Sequence, residues 1–220
     1  MWRLVVAFLT AGVLSAQLTK TENLDFPAAG GLRLEKSIGE LTVEGWDQPG
    51  VAITVVKAVK VKGDKPPKAK TEDLGRIRVT AERKDNDIVV TTTFPKHFIL
   101  ARPFAGLSDF ELEYRIKAPR GARLAIKHEI GEIHIQGMIG DIHATNGMGQ
   151  ITVAVVPGTE YTVDARSKLG AIDSDAGGEL KKGLFGHTFR SQTPSGTNML
   201  YLRIGSGDIT ILETPRPVQK

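Results

Sequence analysis

Cysteine is absent from the 220-residue chain. Its absence excludes disulfide bonds, thiolate metal sites and a cysteine nucleophile. It also argues against a lipoprotein-type lipid anchor, which requires a cysteine after the N-terminal apolar segment. The folded protein therefore has to be stable without covalent cross-links.

Aromatic residues are scarce, at 6% of the chain, although 40% of the residues are hydrophobic. The apolar content is thus mainly Val, Ile, Leu and Ala, which are typical of β-sheet cores. The 24 glycines and 11 prolines fit many short strands separated by turns. No stretch shows the 3.6-residue period of an amphipathic helix.

A strong net charge is also missing, since the chain carries only +4. The one dense basic cluster, residues 57–70, has six lysines but no aromatic residue. Nucleic-acid-binding surfaces usually combine a basic face with aromatic side chains. The composition therefore argues against a nucleic-acid partner.

Long hydrophobic runs are lacking, apart from residues 4–14. This run follows Arg3, precedes the small residues Ser15 and Ala16, and is shorter than the roughly 20 residues that span a bilayer. These features are typical of a secretory signal. We predict that residues 1–16 are removed and that the protein is exported to the periplasm or the cell surface. The alternative is a buried N-terminal strand.

Apolar and polar residues alternate with period two along much of the remaining chain, which predicts strands. After a loose lead-in at residues 17–31, two alternating runs flank a turn at residues 45–50. A hairpin is expected around residues 85–87, and two more strands at residues 111–117 and 122–127.

A short unit then recurs: glycine, a polar residue, an apolar residue, any residue, and an apolar or small residue. Copies begin at Gly39, Gly131, Gly140, Gly149, Gly170 and Gly207. Since three copies are nine residues apart, units eighteen apart should stack on one sheet and consecutive units should lie on opposite sheets. Ile133 and Ile135 should point inward, with His134 in solvent. The pattern predicts an all-β fold, a solenoid-like or roll-like stack of short strands. A β-sandwich is the alternative.

The expected organisation is one domain over residues 17–220, with insertions at about residues 57–73 and 94–109. The first insertion is lysine-rich and should form a solvated loop. The second is unusually apolar for a loop, and it would either cover one end of the core or serve as a ligand lid.

The repeated unit, together with residues 45–51 and 114–124, resembles a family of bacterial envelope proteins catalogued as proposed adhesins, with a β-strand repeat domain of unknown function. The resemblance covers residues 32–213. It implies an exported β-solenoid or roll-like domain, and it implies no established enzymatic activity and no catalytic residues.

The side chains that could carry chemistry fit their places in the repeat better than they fit a catalytic or metal site. His134 and His143 fall on different sheets in the predicted stack, which argues against a shared metal ion. The acidic residues that follow the repeat glycines recur at one position of the unit, which is typical of polar residues in turns. Residues 173–178 lack the ligand spacing of a calcium loop. The Gly-x-Gly pairs precede strands, whereas phosphate-binding loops precede helices. We assign no catalytic, cofactor or metal residues.

The sequence therefore predicts a non-catalytic structural or interaction module of the cell envelope. The alternatives are a carbohydrate-active enzyme on a β-helix and a periplasmic protein that binds a small ligand or an ion. A partner would be an anionic envelope polymer, lipid headgroups or another envelope protein. The insertions depart most from the repeat, so the expected contact residues are Lys57, Lys60, Lys62, Lys65, Lys68, Lys70, Phe98 and Phe104.

Overall fold

The computed structural model describes residues 17–27, 30–59, 74–94, 110–191 and 198–213. This part of the chain is built from β-strands, which confirms the predicted all-β class. The strands are β1 (Gln17–Asp25), β2 (Gly31–Trp46), β3 (Gly50–Val59), β4 (Arg78–Lys84), β5 (Asp87–Thr93), β6 (Phe110–Pro119), β7 (Arg123–Gln136), β8 (Ile142–Val155), β9 (Tyr161–Leu169), β10 (Ile172–Ser174), β11 (Glu179–Lys182), β12 (His187–Ser191) and β13 (Asn198–Glu213).

Four long parallel strands form the centre of the fold, in the order β2-β7-β8-β13. At one end the sheet continues through β6 and β3 to the edge strand β1, and at the other through β9 and β12 to the edge strand β11. The hairpin of β4 and β5 pairs with the first part of β2, and the short β10 pairs with β13. The sheet is thus an open stack, in which β4 and β10 are edge strands as well as β1 and β11.

Each long strand changes the phase of its burial pattern at a central glycine, which divides it into a first and a second arm. In β7, Leu124 and Ile126 are buried before Gly131, and Ile133 and Ile135 are buried after it. In an uninterrupted strand, side chains an odd number of residues apart point to opposite faces. The irregularity at the glycine therefore keeps both arms facing the core.

The central glycines stack on one another across the sheet, with Gly39, Gly131, Gly149 and Gly207 in register. All four have a positive φ, for example 131° at Gly149. A Cβ atom built on Gly131 would lie 1.8 Å from the carbonyl oxygen of Gly39, and one on Gly149 would lie 2.0 Å from that of Gly131. Only glycine fits both the backbone conformation and the close approach.

The predicted stacking of units eighteen residues apart is confirmed, because His134 pairs with Thr152 across β7 and β8. The expected placement of consecutive units on opposite sheets was wrong, because the units at Gly140 and Gly149 contribute the two arms of one strand, β8, in one sheet. Ile133 and Ile135 are buried as expected. The His134 side chain is 38% exposed, so it lies on the outer surface as predicted.

Two predictions of local structure were wrong. The expected lead-in contains β1, which pairs antiparallel with β3 over Gln17–Asp25. Its side chains are mostly exposed, so backbone hydrogen bonds to β3 hold it rather than an alternating buried face. Lys57 also lies within β3 and not in a loop. Most of both predicted insertions, residues 60–73 and 95–109, lies outside the described residues.

Candidate functional site

The predicted partner-contact residues are only partly visible. The Lys57 ammonium donates hydrogen bonds to the carbonyl oxygens of Ile77, at 2.7 Å, and Leu74, at 3.3 Å. Burial, and after it the charge of Lys20, lowers the pKa of Lys57. Lys57 is thus engaged within the protein. The other expected contact residues lie outside the described part of the chain: Lys60, Lys62, Lys65, Lys68, Lys70, Phe98 and Phe104.

The stacked Gly39, Gly131, Gly149 and Gly207 join the first arms to the second arms, and we call this region the glycine corner. Buried polar side chains line its inside. Three of these side chains, His128, Asn146 and Ser167, lie three residues before a repeat glycine. Each donates a hydrogen bond to a glycine carbonyl of an adjacent strand. The three bonds are His128 Nε2 to Gly39 O at 3.1 Å, Asn146 Nδ2 to Gly131 O at 2.8 Å, and Ser167 Oγ to Gly207 O at 2.8 Å. These bonds satisfy carbonyls that the irregular backbone would otherwise leave without a partner.

His128 is a structural residue in this arrangement. Its Nδ1 accepts a hydrogen bond from the Ser37 hydroxyl, at 2.8 Å, while Nε2 donates to Gly39 O. Desolvation by burial lowers the pKa of His128 to about 4. The imidazole is therefore neutral near pH 7, which suits its one donor and one acceptor role.

Two of the repeat carboxylates accept hydrogen bonds from backbone amides. Asp141 Oδ1 accepts from Met199 N at 2.8 Å, and Asp208 Oδ1 accepts from Ala171 N at 2.7 Å. Asp141 lies between β7 and β8, as the predicted turn role requires. Glu40, Glu132 and Asp208 lie within β2, β7 and β13, so the prediction of a turn was wrong for them. Within the described ranges, no three His, Asp or Glu side chains are grouped so that they could hold a metal ion.

A continuous polar surface covers the outside of the second arms of β2, β7, β8 and β13; we call it the polar ladder. Two adjacent rows form it, and the side chains in each row are partners in register. The rows are Thr42, His134, Thr152 and Thr210, and Glu40, Glu132, Gln150 and Asp208. Two pairs bridge the rows, His134 with Glu132 at 3.1 Å and Gln150 with Thr152 at 3.4 Å. The ladder is a rigid surface of hydrogen-bonding groups.

The outside of the first arms carries an aromatic cluster. The Arg203 guanidinium lies 3.8 Å from the centroid of the Tyr201 ring, and the His143 ring centroid is 5.4 Å away. Arg203 also forms an ion pair of 3.0 Å with Asp164. One face of Tyr201 is therefore already covered by a cation from the same protein.

A third surface, the basic hairpin surface, surrounds the turn between β11 and β12. A cleft of about 540 Å³ lies beside this turn. Its lining includes the cationic residues Arg166, Lys168, Lys181 and Lys182, and the aromatic residue Phe185. Among the described residues, none that lines the cleft is acidic. The cleft is open to anionic groups, and bulky apolar residues stand at its margin.

Neither the polar ladder nor the basic hairpin surface was predicted as a contact site. The ladder was visible in the sequence as two positions of the repeat. We assigned the position of His134 to an ordinary exposed strand position, and the polar position after the glycine to a turn. The hairpin had a signal at residues 181–186, where two bulky apolar residues stand between glycines and follow two lysines.

Comparison with known proteins supports the fold. The chain is similar to the crystal structure of a proposed cell adhesion protein from Clostridium sporogenes ATCC 15579, with a TM-score of 0.52 and 16% identity, covering 90% of this chain and 100% of that one. At this identity the likeness shows the fold alone. The alignment with a proposed adhesin from Bacteroides fragilis NCTC 9343 covers 89% of this chain and 97% of that one at 11% identity. Its TM-score of 0.25 is too low to support a shared fold.

No family model matches the chain, and no curated protein matches its sequence. Among the residues that the structure describes, no helix has the length and hydrophobicity needed to cross a bilayer.

Proposed function

We propose that the protein is an exported, non-catalytic interaction module of the bacterial cell envelope, of the adhesin kind. The observation that carries this proposal is the polar ladder, a continuous surface across four rigid strands. The fold likeness to the Clostridium sporogenes protein, which is described as a proposed cell adhesion protein, supports the same function.

The polar ladder suits an extended partner better than a small molecule. Neighbouring strands are roughly 4.8 Å apart, so the ladder presents hydroxyl, amide and carboxylate groups at a regular interval. An envelope polymer with repeated hydroxyl or amide groups could form several equivalent hydrogen bonds along such a surface. Each bond is weak, and affinity would come from their number.

The proposal includes the expected organisation of the chain. Residues 1–16 would direct export, and residues 17–220 would act as one unit outside the cytoplasm.

A second proposed contact remains in the two insertions, at Lys60, Lys62, Lys65, Lys68, Lys70, Phe98 and Phe104. Replacing these five lysines by Gln, with Lys57 left intact, should weaken binding to cell-wall material at low salt.

The experiment uses beads coated with residues 17–220 and isolated cell envelopes as the target. Ala154→Arg places a long charged side chain on the outer face of the second arm of β8, beside the ladder. Ala125→Arg is the matched control, because Ala125 has the same half-buried outward position on the first arm of β7. We expect Ala154→Arg to lower bead adhesion at least tenfold and Ala125→Arg to leave it unchanged. Equal effects of the two substitutions would contradict a role for the ladder.

A further inference from the structure

The turn between β11 and β12 exposes two large apolar side chains. Leu184 is 89% exposed and Phe185 is 72% exposed. The turn is closed by a hydrogen bond of 2.7 Å from Gly183 N to Gly186 O, which leaves these two residues at the tip. Polar residues and glycine are the usual occupants of such turns. Folding of this chain alone therefore gives no reason for a Leu-Phe pair at this position.

The charge on the hairpin changes towards the tip. The outer row farther from the tip contains one base between two acids, Asp164, Arg190 and Glu179, and Arg190 lies 3.9 Å from Asp164. The next row towards the tip contains Arg166, Thr188 and Lys181, and Lys168 follows on β9. In the described structure, Lys181 forms an ion pair with Glu179 at 3.3 Å.

The apolar tip and the cations belong to one surface. Phe185 lines the same cleft as Arg166, Lys168 and Lys182, without an acidic side chain in the lining. Arg166, Lys168 and Lys182 therefore lie behind the apolar tip, and we call these three cations the collar. Any partner has to provide negative charge at the collar and an apolar environment at the tip.

We propose that the basic hairpin surface docks on an anionic lipid bilayer, with Leu184 and Phe185 inserted between the headgroups. The headgroup layer offers phosphate to the cations of the collar, and the acyl boundary beneath it accepts the apolar side chains. A soluble phosphate or polyanion would neutralise the collar but leave the tip in water. A bilayer satisfies both parts of the surface at once.

The test is flotation of purified residues 17–220 with vesicles. Vesicles of phosphatidylcholine containing 30% phosphatidylglycerol should carry the protein, and vesicles of phosphatidylcholine alone should carry much less of it. The double substitution Leu184→Ser/Phe185→Ser should lower partitioning to the anionic vesicles at least tenfold. Since both side chains are exposed, the variant should keep the unfolding midpoint of the original protein.

The matched control is Met148→Ser, which removes an apolar side chain with 53% exposure at the glycine corner. It should float like the original protein. A second variant, Lys168→Gln/Lys182→Gln, should lose binding to the anionic vesicles and leave the apolar tip intact. Equal flotation of the Leu184→Ser/Phe185→Ser variant and the original protein would overturn the proposal. Unchanged vesicle binding by the lysine variant would also overturn it. So would a soluble polyanion that prevents flotation by binding residues 60–70 and not the basic hairpin surface. Bead adhesion through the polar ladder is measured separately, so the two proposals can fail independently.

Discussion

Each stacked glycine is required at the glycine corner because the backbone of the next strand lies where a side chain would have to be. Gly149 combines a φ of 131° with a backbone oxygen 2.0 Å from the place of a Cβ atom. This oxygen belongs to the backbone of the adjacent strand and cannot rotate away as a side chain could. An added methyl group at this position therefore has to displace the strand.

We expect Gly149→Ala to lower the free energy of unfolding by roughly 3 kcal/mol or more, because backbone strain and steric overlap both contribute. Gly121→Ala is the matched control, since no atom lies within 4 Å of a Cβ built at Gly121 and its φ is not positive. Urea unfolding of the two variants makes the comparison. A similar midpoint for both would show that the corner can relax around the methyl group.

His128 should make stability depend on pH. Its folded pKa is about 4, below the ordinary 6.5, so the unfolded chain binds the extra proton between these values. Stability from this group is fully present above about pH 6.5 and is lost as the pH falls towards 4, by about 3 kcal/mol in total. His128→Asn places at this position the side chain that Asn146 provides on the next strand, and it removes the titration. The difference in unfolding free energy between original and variant should shrink or reverse as the pH falls. A difference that is constant from pH 7 to pH 4 would contradict the assignment.

At the scale of single residues, the sequence predicted the inward and outward positions but missed the buried polar ones. The facing of Ile133 and His134 follows from period-two alternation counted from Gly131. His128, Asn146 and Ser167 interrupt an apolar series, and their role depends on a carbonyl that belongs to another strand. The spacing of three residues before a glycine was a usable signal. Ile204, which also precedes its glycine by three residues, shows that the rule has an apolar exception.

At the scale of the strand, the two arms behave as separate alternating segments joined at a glycine. Reading one continuous period through β7 would send Ile133 outward, whereas the structure buries it. The repeat unit avoided this error because it restarts the count at each glycine. The phase change itself was not predicted, since local alternation carries no information about how two arms meet.

The facing of the second arm can be tested with neighbouring substitutions. Ile133→Asp would bury an unpaired charge and should lower the free energy of unfolding by several kcal/mol. His134→Ala changes a partly exposed side chain and should stay within about 0.5 kcal/mol of the original protein. Denaturant midpoints of the two variants are the measurement. A larger loss for His134→Ala would mean that the register of the arm is wrong.

The edge strand β1 shows why other elements could not be predicted. Leu18 is exposed and Leu24 is only partly buried, so the segment lacks a clear apolar face. Its pairing with β3 runs over nine residues and rests on backbone hydrogen bonds, which every sequence except proline can form. The β4 and β5 hairpin was predicted because its strands alternate and its turn is rich in Asp and Asn.

At the scale of the whole molecule, the sheet is open, and charged side chains lie on its edge strands β1 and β11. β1 carries Lys20 and Glu22, and β11 carries Lys181 and Lys182. Charged side chains on edge strands oppose pairing with a second molecule. The fold class and the stacking of β7 on β8 could be predicted from the repeat. The place of β13 between β8 and β9, and the position of these edges, depend on long-range pairing that the repeat does not encode.

Export is a property of the whole chain and can be checked directly. We expect cleavage near Ala16, so that the exported protein begins near Gln17 and keeps all of β1. N-terminal sequencing of protein recovered from the periplasm or the culture medium is the measurement. An intact Met1 on protein confined to the cytoplasm would contradict the predicted signal.

The stacked glycines also limit how the length of such a chain can vary. Loss of one residue between Gly131 and Gly149 would bring a residue with a side chain against the neighbouring carbonyl, and it would turn one arm inside out. Duplication of a full eighteen-residue coil would preserve both the glycine position and the facing of every side chain. Homologous chains should therefore differ by whole coils or by changes in the connections between strands, and the number of residues from each stacked glycine to the ends of its two arms should stay fixed.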